Sequence, residues 1–423
     1  MFAVSSHAAS KPNIIFIVAD DMGYRDTGYS GNPIVKTPHL DQMAAAGLSF
    51  ENFYSAHGTC SPGRMAILTG RTPLRSRMVT TVGPMREGEV TVAAALKTAG
   101  YETGHFGKWG VGRVGTHPMK AGFDEAVWSK GFYDNGVAFF VNESDKRDER
   151  PVQTTGESSI ATVDEALKFI AKRAKRQQPF FAQISFGSPH GPHKAASEFK
   201  KLYSALLEKE QHLWGEISGL DAAVGKLRKA LRDLEIADNT LLWFVSDNGG
   251  VSSTSGIERK GRIGARTIGL IEWPRKIPRP MSTAIPVCHT DMYPTVLDIA
   301  GITIKHQPVV DGISILSLIE GKMESRPKPL GFTSGRYASK DPVLCDLGVA
   351  AWIDQPYMLR VDPPNKRRKS ELVTLYKLDD DPSQKKDLAA EYSGKVQVMR
   401  KALEEWRESI KASFEGNDYT VNR

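Results

Sequence analysis

The chain has 423 residues, of which 40% are hydrophobic and 25% are charged, and its formal net charge is +7. This length and composition are typical of a folded enzyme with one large and one smaller domain, and they exclude a short disulfide-rich scaffold and a globally disordered chain. No apolar run reaches the ~20 residues needed to span a bilayer, so we expect no membrane span. The positive charge fits either an anionic partner or a solvated surface that is merely basic.

The first ten residues are small and polar, and they end in a pair of alanines followed by serine. They lack the charged and apolar regions of an intact signal peptide, but the small residues resemble the end of one. We predict a trimmed export signal and a periplasmic or secreted protein; a cytoplasmic start is the alternative.

Short apolar runs alternate with amphipathic stretches along most of the chain. This alternation predicts an α/β fold with a large mixed, mostly parallel sheet flanked by helices. The predicted strands are 13–19, 180–186, 239–246 and 268–273, and the predicted helices are 91–100, 158–176, 202–234 with a break near 215–219, and 291–300.

The pattern changes beyond about residue 325, where short strand-like runs joined by turns precede one amphipathic stretch. We therefore divide the chain into a catalytic α/β domain at 11–325 and a small α+β subdomain at 326–423, built on a short antiparallel sheet. Its predicted elements are strands at 349–352, 357–361 and 371–377, and a helix at 396–414.

Polar clusters directly follow three of the predicted strands: Asp20 with Asp21, the Ser188–His190 segment, and Asp247 with Asn248. Ligands bind at the carboxyl ends of parallel strands, so these clusters predict one site assembled from distant segments. The adjacent carboxylates Asp20 and Asp21 would repel each other without a cation, which indicates a hard divalent metal. Alone, the Asp-Asn-Gly sequence would indicate only a turn.

Cys60 is one of three cysteines, which allow at most one disulfide, between Cys288 and Cys345. Pro62 suits the first turn of a helix, so Cys60 would lie at a helix N-terminus with Arg64 about one turn later. This arrangement indicates an activated thiol or an anion-binding turn, and a buried free cysteine is the alternative.

The run from Cys60 to Gly70, Cys-x-Pro-x-Arg followed by Thr-Gly, resembles the signature of the formylglycine-dependent (type I) sulfatases of the alkaline phosphatase superfamily. The segments 12–24 and 246–250 also resemble that family. The resemblance implies that a maturation enzyme oxidises Cys60 to formylglycine, whose hydrate is the nucleophile, and that Arg64 holds its oxygens.

The same resemblance implies one calcium ion per chain. Its ligands would be Asp20, Asp21, Asp247 and Asn248, together with the modified residue at Cys60.

Residues 104–110 resemble the family segment Gly-Lys-Trp-His-Leu-Gly, which implies that Lys108 binds sulfate and the formylglycine hydroxyl. Gly110 replaces the family histidine that is thought to deprotonate the sulfated intermediate, so sulfate release is expected to be slow or to use another base. His105 is not assumed to substitute for it. His190 matches the histidine that protonates the leaving alcohol, and His193 is either a substrate contact or an exposed loop residue.

A further family lysine aligns with Lys260 if a small local deletion is allowed. Arg259 and Arg262 are alternatives, and all three could be surface charges.

The resemblance implies a sulfuric ester hydrolase whose substrate is a sulfated small molecule or glycan. Two alternatives stay open: a phosphodiester or phosphonate monoester hydrolase of the same superfamily, and a non-catalytic relative that binds sulfated glycans. No nucleic acid partner is expected, because no basic stripe with groove-reading elements is present. Specificity is expected from the loops 114–151 and 306–336, and aromatic residues in the first of them could stack on sugars or belong to the core: Phe123, Trp128, Phe132 and Tyr133.

Overall fold

The structure is a computed structural model with one large sheet and two small ones. The residues it describes are 11–79, 85–111, 117–129, 138–143, 146–147, 152–251, 263–337 and 344–419.

The large sheet has eleven strands: β1 (Asn13–Ala19), β2 (Leu48–Phe50), β4 (Glu102–Lys108), β5 (Glu125–Ser129), β6 (Ala138–Glu143), β7 (Lys146–Arg147), β8 (Val152–Gln153), β9 (Phe180–Ser185), β10 (Thr240–Ser246), β12 (Gly269–Glu272) and β13 (Met281–Thr283). A three-stranded sheet comprises β3 (Phe53–Tyr54), β11 (Arg266–Thr267) and β14 (Val287–Cys288), and a four-stranded sheet comprises β15 (Leu330–Tyr337), β16 (Leu344–Asp354), β17 (Tyr357–Asp362) and β18 (Leu372–Lys377). The helices are α1 (Pro38–Ala44), α2 (Cys60–Thr69), α3 (Val92–Lys97), α4 (Ser158–Lys175), α5 (Ser197–Lys200), α6 (Glu208–Asp233), α7 (Met292–Ala300), α8 (Leu316–Ile319) and α9 (Ser393–Glu415).

Five parallel strands form the centre of the large sheet, in the order β10-β1-β9-β4-β5. Successive residues of β1 enter two different cores: Phe16 packs with α2, α3 and α7 on one face, and Ile17 packs with α1, α4 and α6 on the other. Because both faces are covered, the strand is apolar throughout rather than alternating. The predicted mixed, mostly parallel sheet is confirmed, and β12 joins it antiparallel to β10.

Helix α6 runs without interruption from Glu208 to Asp233, so the predicted break near 215–219 is wrong. A Cβ atom on Gly215 would lie 2.7 Å from the Cβ of Ala195, and one on Gly219 would lie 2.7 Å from Cγ of Glu157. The two glycines therefore allow neighbouring segments to approach the helix closely. The packing offsets the cost of about 1 kcal/mol for each glycine inside a helix.

The C-terminal sheet is antiparallel, and the strands and helix predicted there are confirmed. It shares cores with the rest of the chain: Phe332 and Met358 pack with Tyr54 and Ala66. The buried Arg75 pairs with Asp311 and also donates to Oγ of Ser413 on α9, at 2.8 Å. The division at residue 325 stays a prediction.

Within the described ranges, no helix is both long and apolar enough to cross a membrane.

Candidate active site

The carboxyl ends of β1, β9, β10 and β4 meet at one edge of the large sheet. The amide of Asp20 donates to the carbonyl of Ser188 at 3.1 Å, and the amide of Asp247 donates to the carbonyl of Ala19 at 3.0 Å. Lys108 is the last residue of β4. Side chains from four distant segments are therefore brought to one place, as the strand ends indicated.

Three carboxylates and one amide form the buried part of this site, and all four residues are at most 2% exposed: Asp20, Asp21, Asp247 and Asn248. Asp21 has a φ of +65°, an uncommon conformation for a residue other than glycine. Its backbone amide lies 3.4 Å from Oδ1 of Asp247.

Asn248 has a buried oxygen whose position suggests a cation. Its Nδ2 group donates to Oδ1 of Asp247 at 3.0 Å, whereas its Oδ1 atom has no hydrogen-bond partner among the residues that the structure describes. A buried acceptor without a partner costs free energy, which a metal ion would recover. The oxygen donors at this position fit a hard divalent ion.

Cys60 is the first residue of α2, whose ten residues are all buried. Its thiol donates to Oδ1 of Asp20 at 3.2 Å and lies 3.9 Å from Oδ1 of Asp21. A Cβ atom on Gly63 would lie 2.1 Å from the carbonyl oxygen of Asp247, so only glycine lets this helix turn approach the end of β10. Cys288 is also a free thiol, so it forms no disulfide.

Arg64 and Lys108 supply two buried cations. Nε of Arg64 donates to Oδ2 of Asp247 at 2.7 Å, and its NH2 group lies 3.4 Å from Oδ2 of Asp20. The guanidinium also donates to the carbonyl of Lys108 at 3.1 Å, while the Lys108 ammonium contacts Oδ2 of Asp20. Arg64 is thus fixed to two carboxylates and to the backbone at the end of β4, and Lys108 is fixed to one of the same carboxylates.

His190 closes the more exposed side of the site. Its Nε2 atom lies 3.6 Å from Oδ2 of Asp21, and its Nδ1 atom lies 2.6 Å from the carbonyl oxygen of Gly191. Ligand atoms of Asp20, Asp21, Cys60 and His190 all lie within 4.8 Å of one another. This buried group can bind a metal ion.

Gly110 lies beside both basic residues. It has a φ of +61°, and a Cβ atom there would be 3.0 Å from Cδ of Arg64 and 3.3 Å from Cε of Lys108. His105 does not face this position: it packs edge-on against Trp109, in the apolar core, and burial lowers its pKa to about 3. His105 is therefore neutral and does not replace a base at position 110.

His289 supports the site, and no motif in the sequence predicts this role. Its ring Nε2 atom lies 2.8 Å from the carbonyl oxygen of Ser246, and its Nδ1 atom accepts from the amide of Ala56 at 3.3 Å. Burial lowers its pKa to about 4, so the ring is neutral; Nε2 donates a hydrogen bond to Ser246 and Nδ1 accepts one from Ala56. It ties the end of β10 to the segment before Cys60.

Several residues predicted for the site are not among the side chains that meet at the strand ends. Lys260, its alternatives Arg259 and Arg262, and the aromatic pair Phe132 and Tyr133 all lie outside the described residues. Of the other two aromatic candidates, Phe123 is buried in the core and Trp128 packs on Phe140 with ring centroids 5.3 Å apart.

A family model described as Sulfatase matches residues 12–302. Human N-acetylgalactosamine-6-sulfatase is 35% identical over 372 residues, which cover 76% of this chain and 69% of that protein. Rat arylsulfatase G is 27% identical over 421 residues, covering 83% of this chain and 78% of that protein.

Two solved structures illustrate the range of similar folds. Ps i-CgsB in complex with k-i-k-neocarrahexaose superposes with a TM-score of 0.82 and 25% identity, covering 96% of both chains. The phosphonate monoester hydrolase of Agrobacterium radiobacter has a TM-score of 0.65 and 18% identity, covering 95% of this chain and 96% of that one, and this likeness concerns the fold alone.

Proposed function

Because this chain belongs to the sulfatase family and is a sulfatase enzyme, we propose that it removes sulfate from a sulfated carbohydrate through a formylglycine at residue 60. The observation that carries the proposal is the position of Cys60. Its thiol lies at the start of a buried helix, against Asp20 and Asp21, in the site that also holds Arg64 and Lys108. The sulfur marks where the oxygens of the hydrated aldehyde would be.

The charges of the buried groups support this chemistry. Asp20, Asp21 and Asp247 contribute three negative charges, and Arg64 and Lys108 contribute two positive charges, so the sum is −1. A bound divalent cation would change that sum to +1. The loaded site would then attract a sulfate monoester, which carries one negative charge.

The proposed catalytic residues divide the steps of the reaction between them. A hydroxyl of hydrated residue 60 attacks sulfur, and the bond from sulfur to the alcohol oxygen breaks. Arg64 holds the residue 60 oxygens, Lys108 and Lys260 offset negative charge on the sulfuryl oxygens, and His190 protonates the leaving alcohol. The second hydroxyl then loses its proton, sulfate departs, and the aldehyde is restored. Addition of water to the aldehyde regenerates the hydrate, so the net reaction converts ester and water into alcohol, sulfate and a proton.

We propose calcium as the metal, held by Asp20, Asp21, Asp247, Asn248 and modified residue 60. When bound, it would supply positive charge that favours the ionised hydroxyl. The unpartnered Oδ1 atom of buried Asn248 and the three neighbouring carboxylates support an oxygen-liganded ion.

Removing calcium with a chelator is expected to lower the melting temperature, because the carboxylates then repel each other. At calcium a hundredfold above its Kd, the ion should stabilise the fold by about 3 kcal/mol. Thermal unfolding with chelator, calcium or magnesium measures this. Asn248→Ala should weaken the calcium-dependent shift, and identical melting of the wild-type protein in all three conditions would contradict the metal proposal.

A carbohydrate substrate is proposed because of the relatives' names. The human relative is named for N-acetylgalactosamine, and one structural neighbour was solved with neocarrahexaose. The test compares release of sulfate from N-acetylgalactosamine 6-sulfate and an aryl sulfate with hydrolysis of an aryl phosphodiester. We expect the sulfate esters to be preferred by at least about a hundredfold, which is about 3 kcal/mol of transition-state discrimination. A preference for the phosphodiester would favour the phosphoesterase alternative, and binding without turnover would favour the non-catalytic one.

Gly110 leads us to propose that sulfate release limits turnover. Its position beside Arg64 and Lys108 carries no imidazole, and His105 lies in the core. Rapid mixing with an aryl sulfate should therefore give a burst of alcohol close to one equivalent per active site before steady turnover. A linear time course from the first turnover would contradict slow release.

One expectation about a partner and one about localisation complete the proposal. A formylglycine-generating maturation enzyme would act on Cys60, and export to the periplasm or the extracellular space stays a prediction.

A further inference from the structure

His190 lies on the more exposed side of the site, and His193 follows it in the same loop. Their side chains are 18% and 25% exposed, whereas those of Asp20, Arg64 and Lys108 are at most 3% exposed. The buried groups would enclose the sulfate end of a substrate. Its alcohol part must then lie toward the exposed side, where His190 and the loop that carries it are.

His193 is held in one orientation by a buried carboxylate. Its Nδ1 atom lies 3.0 Å from Oε2 of Glu216, which is on α6 and only 1% exposed. The other oxygen of Glu216 accepts from the backbone amide of Lys194. One buried side chain therefore fixes both the ring of His193 and the backbone that follows it.

The helix α6 contacts the same loop at two further points. The amide of Ala195 donates to Nδ1 of His212 at 3.1 Å. Gly215 lets the side chain of Ala195 approach the helix closely, since a Cβ atom on Gly215 would lie only 2.7 Å from the Cβ of Ala195. Three consecutive loop residues are thus attached to about one turn of one helix. A rigid support of this kind is what a substrate-positioning residue needs.

The opposite edge of the His193 ring lies beside Gly191. Its Nε2 and Cε1 atoms would be 3.7 and 3.8 Å from a Cβ atom on Gly191, the residue whose carbonyl oxygen contacts His190. With Nδ1 donating to Glu216, Nε2 of a neutral ring is an acceptor. An acceptor in the loop that carries His190, the proposed acid for the leaving alcohol, can accept a hydrogen bond from a hydroxyl of a sugar alcohol.

We propose that His193 is a positioning and specificity residue that accepts a hydrogen bond from a hydroxyl of the carbohydrate, with Glu216 holding its ring. This inference rests on the proposed function, because it assumes that the alcohol part of the substrate is a sugar. A role in loop support alone is the competing explanation.

The test measures kcat and KM of the full-length, matured enzyme on N-acetylgalactosamine 6-sulfate and on p-nitrophenyl sulfate, which has no sugar hydroxyls. His193→Ala should raise KM for the sugar sulfate about tenfold and change kcat by less than about twofold, since one substrate hydrogen bond is lost. The same variant should change kcat/KM for the aryl sulfate by less than about twofold. Glu216→Gln should shift the sugar KM in the same direction by about threefold.

His212→Ala is the matched control, because it removes a different contact between the same loop and α6. It should leave the ratio of the two kcat/KM values within about twofold of wild type. An equal loss on both substrates in His193→Ala, an unchanged sugar KM, or the same selective loss in His212→Ala would overturn the proposal.

Thermal unfolding checks that each variant is folded. If His193→Ala is not, His193→Lys replaces it, since the ammonium keeps a donor for Glu216 and has no acceptor for a sugar hydroxyl; an unchanged ratio of kcat/KM values there also overturns the proposal. A wild-type enzyme that releases sulfate from neither ester would contradict the proposed function, and this inference with it. A wild-type enzyme active on both, with an unchanged ratio in the variant, contradicts the inference alone.

Discussion

Replacing Cys60 with alanine is expected to lower kcat for sulfate esters by at least about ten-thousand-fold, the usual scale for losing a catalytic nucleophile. Residue 60 is the proposed source of both hydroxyls, and Asp20, Asp21 and Asn248, which contact its thiol, carry neither a thiol nor a hydroxyl group. The fold should survive, because the contacts of the thiol with Oδ1 of Asp20 and Oδ1 of Asp21 are long, at 3.2 and 3.9 Å. Steady-state kinetics and mass spectrometry of the peptide that contains residue 60 test this together.

Cys288→Ala is the matched control, since it removes the other described free thiol, which is also buried. It should keep kcat within about threefold of wild type because burial raises the pKa of that thiol to about 12 and no proposed step uses it. Wild-type protein from a host with the maturation enzyme should carry an aldehyde or its hydrate at residue 60. An unmodified thiol in such protein would contradict the formylglycine proposal and favour the glycan-binding alternative.

Replacing Arg64 with methionine is expected to reduce the free energy of unfolding by about 3–5 kcal/mol, the range measured when one partner of a buried ion pair is removed. Arg64 is fully buried and pairs with Asp247 and Asp20, whose side chains are also fully buried. Without the guanidinium, Asp20 would keep only Lys108, Asp247 would lose the arginine that pairs with it, and neither buried carboxylate could reach water. Urea unfolding at neutral pH, in the presence of a chelator, measures the difference.

Arg173→Met provides the comparison, because Arg173 is only 4% exposed but its partners Glu102 and Glu125 are 31% and 24% exposed. Those partners can be solvated when the arginine is lost, so the expected cost is about 1 kcal/mol. Equal losses in the two variants would show that burial of the Asp20 and Asp247 carboxylates does not set the cost at the active site.

Much of the active-site arrangement could be anticipated because its signals are local. A fully apolar run such as 13–19 is typical of a strand covered on both faces, and its last residue marks where Asp20 and Asp21 must emerge. Pro62 two residues after Cys60 similarly indicates the helix start that the structure has. Neither inference needs knowledge of which segments become neighbours.

Other features depend on packing between segments far apart in the chain. Gly215 and Gly219 predict a break if only helix propensity is considered, whereas α6 continues because neighbouring segments pack against both glycines. The direction of β12 and the supporting role of His289 likewise have no local signal, since each depends on a hydrogen-bond partner chosen by the fold.

The sequence by itself determined the α/β class, the strand ends that carry Asp20 and Asp247, and the motif around Cys60, because periodicity and short spacings fix these locally. Only the tertiary structure decided that Glu216 holds His193. A contact between residues 23 positions apart requires that a loop and a helix be packed together, and the close approaches that pack them appear only once the chain has folded.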